Sequence, residues 1–137
     1  MTFTDDLKFG NQYEQNCCVR LKNPKIMKGK FKAYDIIDED GTKYEVKSDR
    51  WTFKTGNICI EFECNKKPSG ISSTESDFYF YYVILPSPLE PILYKIPTSD
   101  IRTMVEEKKY NKIMNGGDGF RSKFYLFKED LFTKYRV

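Results

Sequence analysis

The sequence contains no histidine. That absence removes the Ser-His-Asp and Cys-His classes of catalysis, and it leaves any structural zinc site to cysteine alone. There are four cysteines, Cys17, Cys18, Cys59 and Cys64. No two form a CxxC pair, their spacing is wrong for zinc, and the adjacent Cys17 and Cys18 are poorly placed to share a disulfide. The expectation is free, mostly buried thiols in a reducing cytosol. No apolar run reaches the roughly 18 residues of a membrane span, and the most apolar stretch, Phe78 to Leu85, is only strand length. The opening residues, MTFTDDLKFG, are acidic early and lack the apolar run of a signal peptide. A cytoplasmic location with no membrane partner is therefore expected. The net charge is +3, from 23 basic and 20 acidic residues. A bias that small permits nucleic-acid binding without requiring it. If the chain is an enzyme, carboxylates, lysine and a metal must carry the chemistry.

What the chain does have is length and aromatic content. Its 137 residues suit one domain, residues 1–137, large enough to bury a core without disulfides. Hydrophobic residues are 39% and aromatics 16%, which excludes a disordered chain.

Residues 3 to 21 read as a helix, capped by Thr2 or Thr4 with Asp5 and Asp6 at its positive end. Phe3, Leu7, Gly10, Cys17 or Cys18, and Leu21 form its apolar stripe, and Asn23-Pro24 ends it. Glu14 interrupts that stripe. After a basic connector, residues 33–38 and 43–48 read as strands around Glu39-Asp40-Gly41. Residues 50–55 read as a loop and 57–64 as an alternating strand. Residues 65–76 read as a polar loop with a short helical turn, and 77–85 as an aromatic central strand. A strand at 92–96, a helix from Thr98 or Ser99 to about Lys109, a turn at 115–119, a strand at 122–127 and a helical end at 129–133 complete the pass. This order predicts an α/β domain with a single mixed sheet flanked by helices.

The hairpin carries the candidate chemistry. Side chains alternate along a strand, so Glu45 and Lys47 share one face and Val46 points to the other. A two-residue Asp40-Gly41 turn would pair Asp35 with Val46. A three-residue loop, Glu39-Asp40-Gly41, would pair Asp35 with Glu45. The sequence does not force the choice, but Gly41 stands where the longer loop needs a left-handed residue, and that register is the favoured one. It puts two carboxylates side by side, a repulsion that a divalent cation relieves. Oxygen ligands in this arrangement suit magnesium or manganese. Lys47 would lie beside such an ion, where it can orient water and stabilise a charged transition state. Glu14, a carboxylate on an inward helix face, needs a partner of its own.

These residues resemble the PD-(D/E)xK nuclease superfamily, which includes restriction endonucleases and Holliday-junction resolvases. The pieces are Gly10-Asn11-Gln12-Tyr13-Glu14 on the helix, Tyr34-Asp35 on the first hairpin strand and Glu45-Val46-Lys47 on the second. Later stretches, Thr55 to Glu61, Ser69-Gly70-Ile71 and Thr74 to Asp77, are similar to small nuclease-like proteins of phage and bacteria. Tyr34 stands where the motif has proline. The resemblance implies an α-β-β-β-α-β, restriction-endonuclease-like core and a magnesium-dependent DNA endonuclease. It implies metal ligation by Asp35, Glu45 and the Val46 backbone carbonyl, Lys47 at the nucleophile, and Glu14 supporting the metal site.

Glu61 and Asp77 are second-tier acids. Arg50, Lys54, Lys66 and Lys67, with Ser69 and Ser72, form a candidate path for a DNA backbone. Cutting both strands of a duplex would call for two sites, hence a homodimer. The competing expectation is an inactive nuclease-like module that holds nucleic acid or a protein without cutting.

Overall fold

A computed structural model describes residues 12–29 and 33–137. The first part of the expected N-terminal helix, with Phe3, Leu7, Gly10 and the candidate caps, lies outside these residues. The described part, α1, runs over residues 12–18. Nine strands and two further α-helices follow among the described residues: β1 (Lys25–Ile26), β2 (Ile36–Ile37), β3 (Lys43–Asp49), α2 (Thr52–Thr55), β4 (Asn57–Cys64), β5 (Lys67–Pro68), β6 (Phe78–Val83), β7 (Ile92–Pro97), α3 (Thr98–Glu106), β8 (Lys112–Gly116) and β9 (Ser122–Lys128). Short 3-10 turns occupy Gly70–Ser72, Asp118–Phe120 and Glu129–Tyr135. No described helix is long and apolar enough to cross a membrane.

The class is α/β, but the expected single sheet is two. One sheet has the order β1-β2-β3-β6-β7 and is mixed, because β3 and β6 run parallel. The other has the order β5-β4-β9-β8, and its pairings are antiparallel. The long connection from β3 to β6 builds half of the second sheet. β8 leaves no trace in the sequence because its residues are mostly exposed and do not alternate, as an edge strand with one neighbour allows.

The core follows from two-residue periodicity. On β6, Tyr79, Tyr81 and Val83 turn one way and join Ile58 and Ile60 of β4, Phe127 of β9, Ile101 of α3 and Phe132 in the layer between the sheets. Phe80 and Tyr82 turn the other way, with Tyr44 and Val46 of β3, onto Cys17 of α1. Tyr79 to Tyr82 are each only 2% exposed, so this aromatic run is core, as its alternation on a doubly covered strand demands. Polar tips in such a core need partners. Tyr81 Oη donates to Asp49 at 2.5 Å and accepts the Cys59 N–H at 3.1 Å. Tyr82 Oη donates to Asn16 at 2.7 Å.

The hairpin resolves the register. Ile36 pairs with Tyr44 and Ile37 with Lys43. The Asp38 N–H donates to Thr42 O at 2.8 Å and the Gly41 N–H to Asp38 O at 3.0 Å, closing the three-residue loop Glu39-Asp40-Gly41. Gly41 adopts φ 88°, the left-handed conformation this loop requires and glycine supplies without steric cost. The regular pairing ends at Ile36: the Asp35 N–H donates to Tyr44 O at 2.9 Å, and Asp35 meets Glu45 through its side chain.

Candidate active site

Asp35 is buried at the entry to β2, and its Oδ2 accepts the Val46 N–H at 2.8 Å. In an extended strand the N–H and C=O of one residue point to the same side, so the Val46 carbonyl faces the same strand edge as Asp35. Glu45 points to the other sheet face from Val46, and its carboxyl is hydrogen-bonded to Asp35. Thr74 Oγ1 sits 3.2 Å from Glu45 Oε1, and Lys47 Nζ lies 3.8 Å from Glu45 Oε2. The Glu45 side chain is only 12% exposed and Lys47 46%.

These groups line a cleft of about 700 Å³ together with Ala33, Cys64, Asn65, Lys67, Pro68, Ser69, Gly70, Ser73 and Thr74. One wall is the Gly70–Ser72 turn. It sits close because Gly70 rests against the Glu61 backbone: a Cβ there would lie 2.2 Å from the Glu61 carbonyl oxygen. Ser69 Oγ donates to Glu61 Oε2 at 2.8 Å, and Arg102 Nη2 of α3 donates to Thr74 O at 2.8 Å, holding the wall from behind. A β-bulge interrupts the β4–β9 pairing between Glu61 and Glu63, beside this wall. Bulges recur where a sheet re-aims side chains beside a site.

Burial pushes the Glu45 carboxyl up to about 7; the Lys47 ammonium opposes this, and the Asp35 charge and hydrogen bond reinforce it. A neighbouring carboxylate disfavours the charged form of Glu45. Glu45 holds its proton in the folded chain well above the 4.5 of the free side chain, so its contribution is fully present at acid pH and is lost as pH rises through about 7. The melting temperature of metal-free protein should therefore fall between about pH 4.5 and 7.5. Adding manganese should reverse the trend, since ligation needs the deprotonated carboxylate. A Glu45→Gln variant should lose both effects in thermal melts across this range.

Beneath the cleft, the Tyr79 hydroxyl is buried without a hydrogen-bond partner. Glu45, Arg102, Asp35 and Glu61 all act on it electrostatically. A buried orphan hydroxyl costs about 1–3 kcal/mol, and its position next to the two carboxylates marks this floor as polar ground. The donor set fits a hard cation in one respect: it is all oxygen. Among the described residues no three of His, Cys, Asp and Glu come together. Two carboxylates and a carbonyl match magnesium, which keeps several waters and binds through one or two carboxylates plus substrate phosphate.

The other expected site residues are dispersed. Glu14 is half-buried on α1, which packs Tyr13 and Cys17 against the Tyr44, Val46 and Tyr82 face of the sheet. Glu45 and Lys47 occupy the opposite face, and Glu14 does not line their cleft. Its charge acts instead on Cys17 and Cys18; burial, with a smaller contribution from Glu14, pushes Cys17 up to about 12. Asp77 is exposed and accepts the Lys43 N–H at 2.9 Å, fastening β6 to β3. Arg50 and Lys54 line a separate cavity of about 540 Å³ with Trp51, Phe53 and Leu85, and Lys54 Nζ lies 5.1 Å from the Trp51 ring centre. Ser72 is exposed and outside the cleft lining, whereas Lys67 and Ser69 are in it. Lys66 lies on a neighbouring groove. Sequence reasoning missed Tyr79, taken as core alone, and Arg102, whose helix starts far along the chain. Neither position carries a local signal, because both are recruited by the fold.

Comparison of the chain with known protein families and with curated proteins returned no match.

Proposed function

We propose that the chain is a magnesium- or manganese-dependent DNA endonuclease that hydrolyses phosphodiester bonds at the Asp35, Glu45 and Lys47 cleft. The observation that carries the reading is the carboxyl pair itself: two acids in hydrogen-bond contact, Glu45 pushed up to about 7, beside a lysine at 3.8 Å. Asp35, Glu45 and the Val46 carbonyl would hold the ion. When bound, it polarises a phosphodiester and acidifies its water. Lys47, half exposed at the cleft, orients the attacking water and neutralises charge on the phosphoryl oxygens. Thr74 fixes the Glu45 carboxylate, and Lys67 offers a phosphate contact at the cleft mouth.

The chain order also supports the resemblance. It agrees in part with an α-β-β-β-α-β core: α1, β1, β2 and β3 come in that order, and β6 runs parallel to β3. The short α2 and the β4–β5 hairpin stand in the crossover where that core has a helix. Glu14 takes no part in the cleft in this reading, and a two-fold pair of chains would bring two clefts to one duplex.

The second reading, a module that holds nucleic acid without cutting, draws on the small ligand set: among the described residues only two carboxylates meet at the cleft. Incubating purified protein with plasmid and short duplex DNA separates the two. Cleavage in magnesium or manganese that stops with chelator is the expected result. Intact DNA after prolonged incubation in either metal, with folded protein, would favour the binding module.

A further inference from the structure

A second surface adjoins the cleft. Lys66, Arg121, Lys123 and Phe120 line a groove of about 370 Å³ with Glu63 and Asn65, and Asn65 lies on the walls of both groove and cleft. Two turns build it. Asn65 and Lys66, at φ 52° and 64°, form the two-residue connection between β4 and β5, where Cys64 pairs with Lys67. Both positions of such a hairpin need positive φ, and this holds Lys66 at the tip. On the opposite side, the chain between β8 and β9 passes through Gly117, Gly119 and Phe120 at φ 72°, 64° and 55°. The Asn65 N–H donates to Arg121 O at 3.1 Å and ties the two turns together.

Phe120 is the informative residue. A bulky side chain in the left-handed region is a costly conformation, and here the ring gains no burial in return: it is 74% exposed. Three cations line the groove with it against one carboxylate, Glu63, which pairs with Lys123 at 3.4 Å. In the adjoining cleft Lys67 adds a further cation, while Lys47 pairs with Glu45 at 3.8 Å. In a chain whose net charge is only +3, that clustering is a local feature.

We propose that this groove binds a single-stranded nucleic-acid segment leading into the cleft, with an unpaired base stacked on Phe120 and phosphates on Lys66, Arg121 and Lys123. Base–aromatic stacking combined with a basic track is the general means of holding single strands. An acidic peptide would satisfy the cations but has no planar face for the ring. A duplex keeps its base faces stacked on one another. The substrate chemistry rests on the nuclease reading, whereas the test reads binding alone.

That test is fluorescence anisotropy in chelator, with the full chain and a labelled single strand of about 12 nucleotides, a hairpin duplex of equal charge, and an oligoglutamate. The expected result is tighter binding of the single strand than of either competitor. Phe120→Ala should weaken single-strand binding about tenfold and leave the duplex nearly unaffected, while Phe120→Trp should retain binding. Lys66→Ala with Lys123→Ala should weaken it further and flatten its salt dependence. Thermal melts establish that each variant is folded. Equal affinity for duplex or oligoglutamate, or single-strand binding unchanged in folded Phe120→Ala, would overturn the proposal. Binding as expected without cleavage in metal would sink the nuclease reading and leave the groove standing.

Discussion

Replacing Asp35 with asparagine is expected to lower metal-dependent cleavage by about a thousandfold or more while leaving the fold in place. The two outcomes separate because Asp35 has two functions. Its Oδ2 accepts the buried Val46 N–H at 2.8 Å, and an asparagine carbonyl oxygen can accept the same bond. Its charge faces Glu45, and asparagine cannot supply that charge to a cation. Asp35→Ala removes both and orphans a buried donor, an added cost of about 1–3 kcal/mol in stability. The asparagine variant should thus melt close to wild type and the alanine variant lower, with both inactive. Glu45 should also titrate at lower pH in Asp35→Asn, because the neighbouring charge is gone. Burial, the largest cause of its shift, remains, so the return toward ordinary values is partial. Cleavage assays beside thermal melts read all of this. Wild-type cleavage by Asp35→Asn would remove this residue from the chemistry.

The largest effect on stability is expected from a residue that bears no functional group. Gly70 has φ 52°, and a Cβ added there would stand 2.2 Å from the Glu61 carbonyl oxygen and 2.8 Å from its carbon. Both obstacles are backbone atoms of a paired strand, so neither can rotate away. Gly70→Ala combines a conformation that L side chains avoid with overpacking, and should cost about 3 kcal/mol or more. The strain falls on the wall carrying Ser69, Ser73 and Thr74, and through Thr74 on Glu45. Metal-dependent cleavage should weaken along with the melting temperature. Gly41→Ala makes the useful comparison. Gly41 also has positive φ, but a Cβ there meets nothing within 4 Å, so only the backbone term applies, about 1 kcal/mol. Equal melting temperatures for the two variants would show that the Gly70 contact with Glu61 is not tight.

The hairpin was legible in the sequence because its determinants are local. Gly41 selects the three-residue loop, the loop sets Ile36 opposite Tyr44, and the neighbouring Asp35 side chain then reaches Glu45. The strand at Asn57–Cys64 matched its expected limits because it alternates and is bounded by Gly56 and a turn. The aromatic strand was read as core for the same kind of reason. The second sheet was not legible. Its formation depends on β9 choosing β4 as its partner rather than the first sheet, a long-range preference that leaves no periodic trace. Glu14 misled for a related reason. Its interruption of an apolar stripe was real, but which sheet face the helix would cover is a tertiary matter, and Tyr13 and Cys17 settle it by packing on Tyr82. The supporting residues of the cleft, Thr74, Tyr79 and Arg102, come from three separate elements and meet only in the folded chain.

The central claim is that Asp35 and Glu45 together hold one divalent ion. Calorimetric titration of the purified chain with manganese at pH 7.5 tests it most directly, beside Asp35→Asn, Glu45→Gln and, as a control, Glu14→Gln. One ion bound per chain by wild type and by Glu14→Gln, with binding lost in the other two, is the expected result. Absence of manganese binding by folded wild-type protein, or binding that survives both Asp35→Asn and Glu45→Gln, would contradict it.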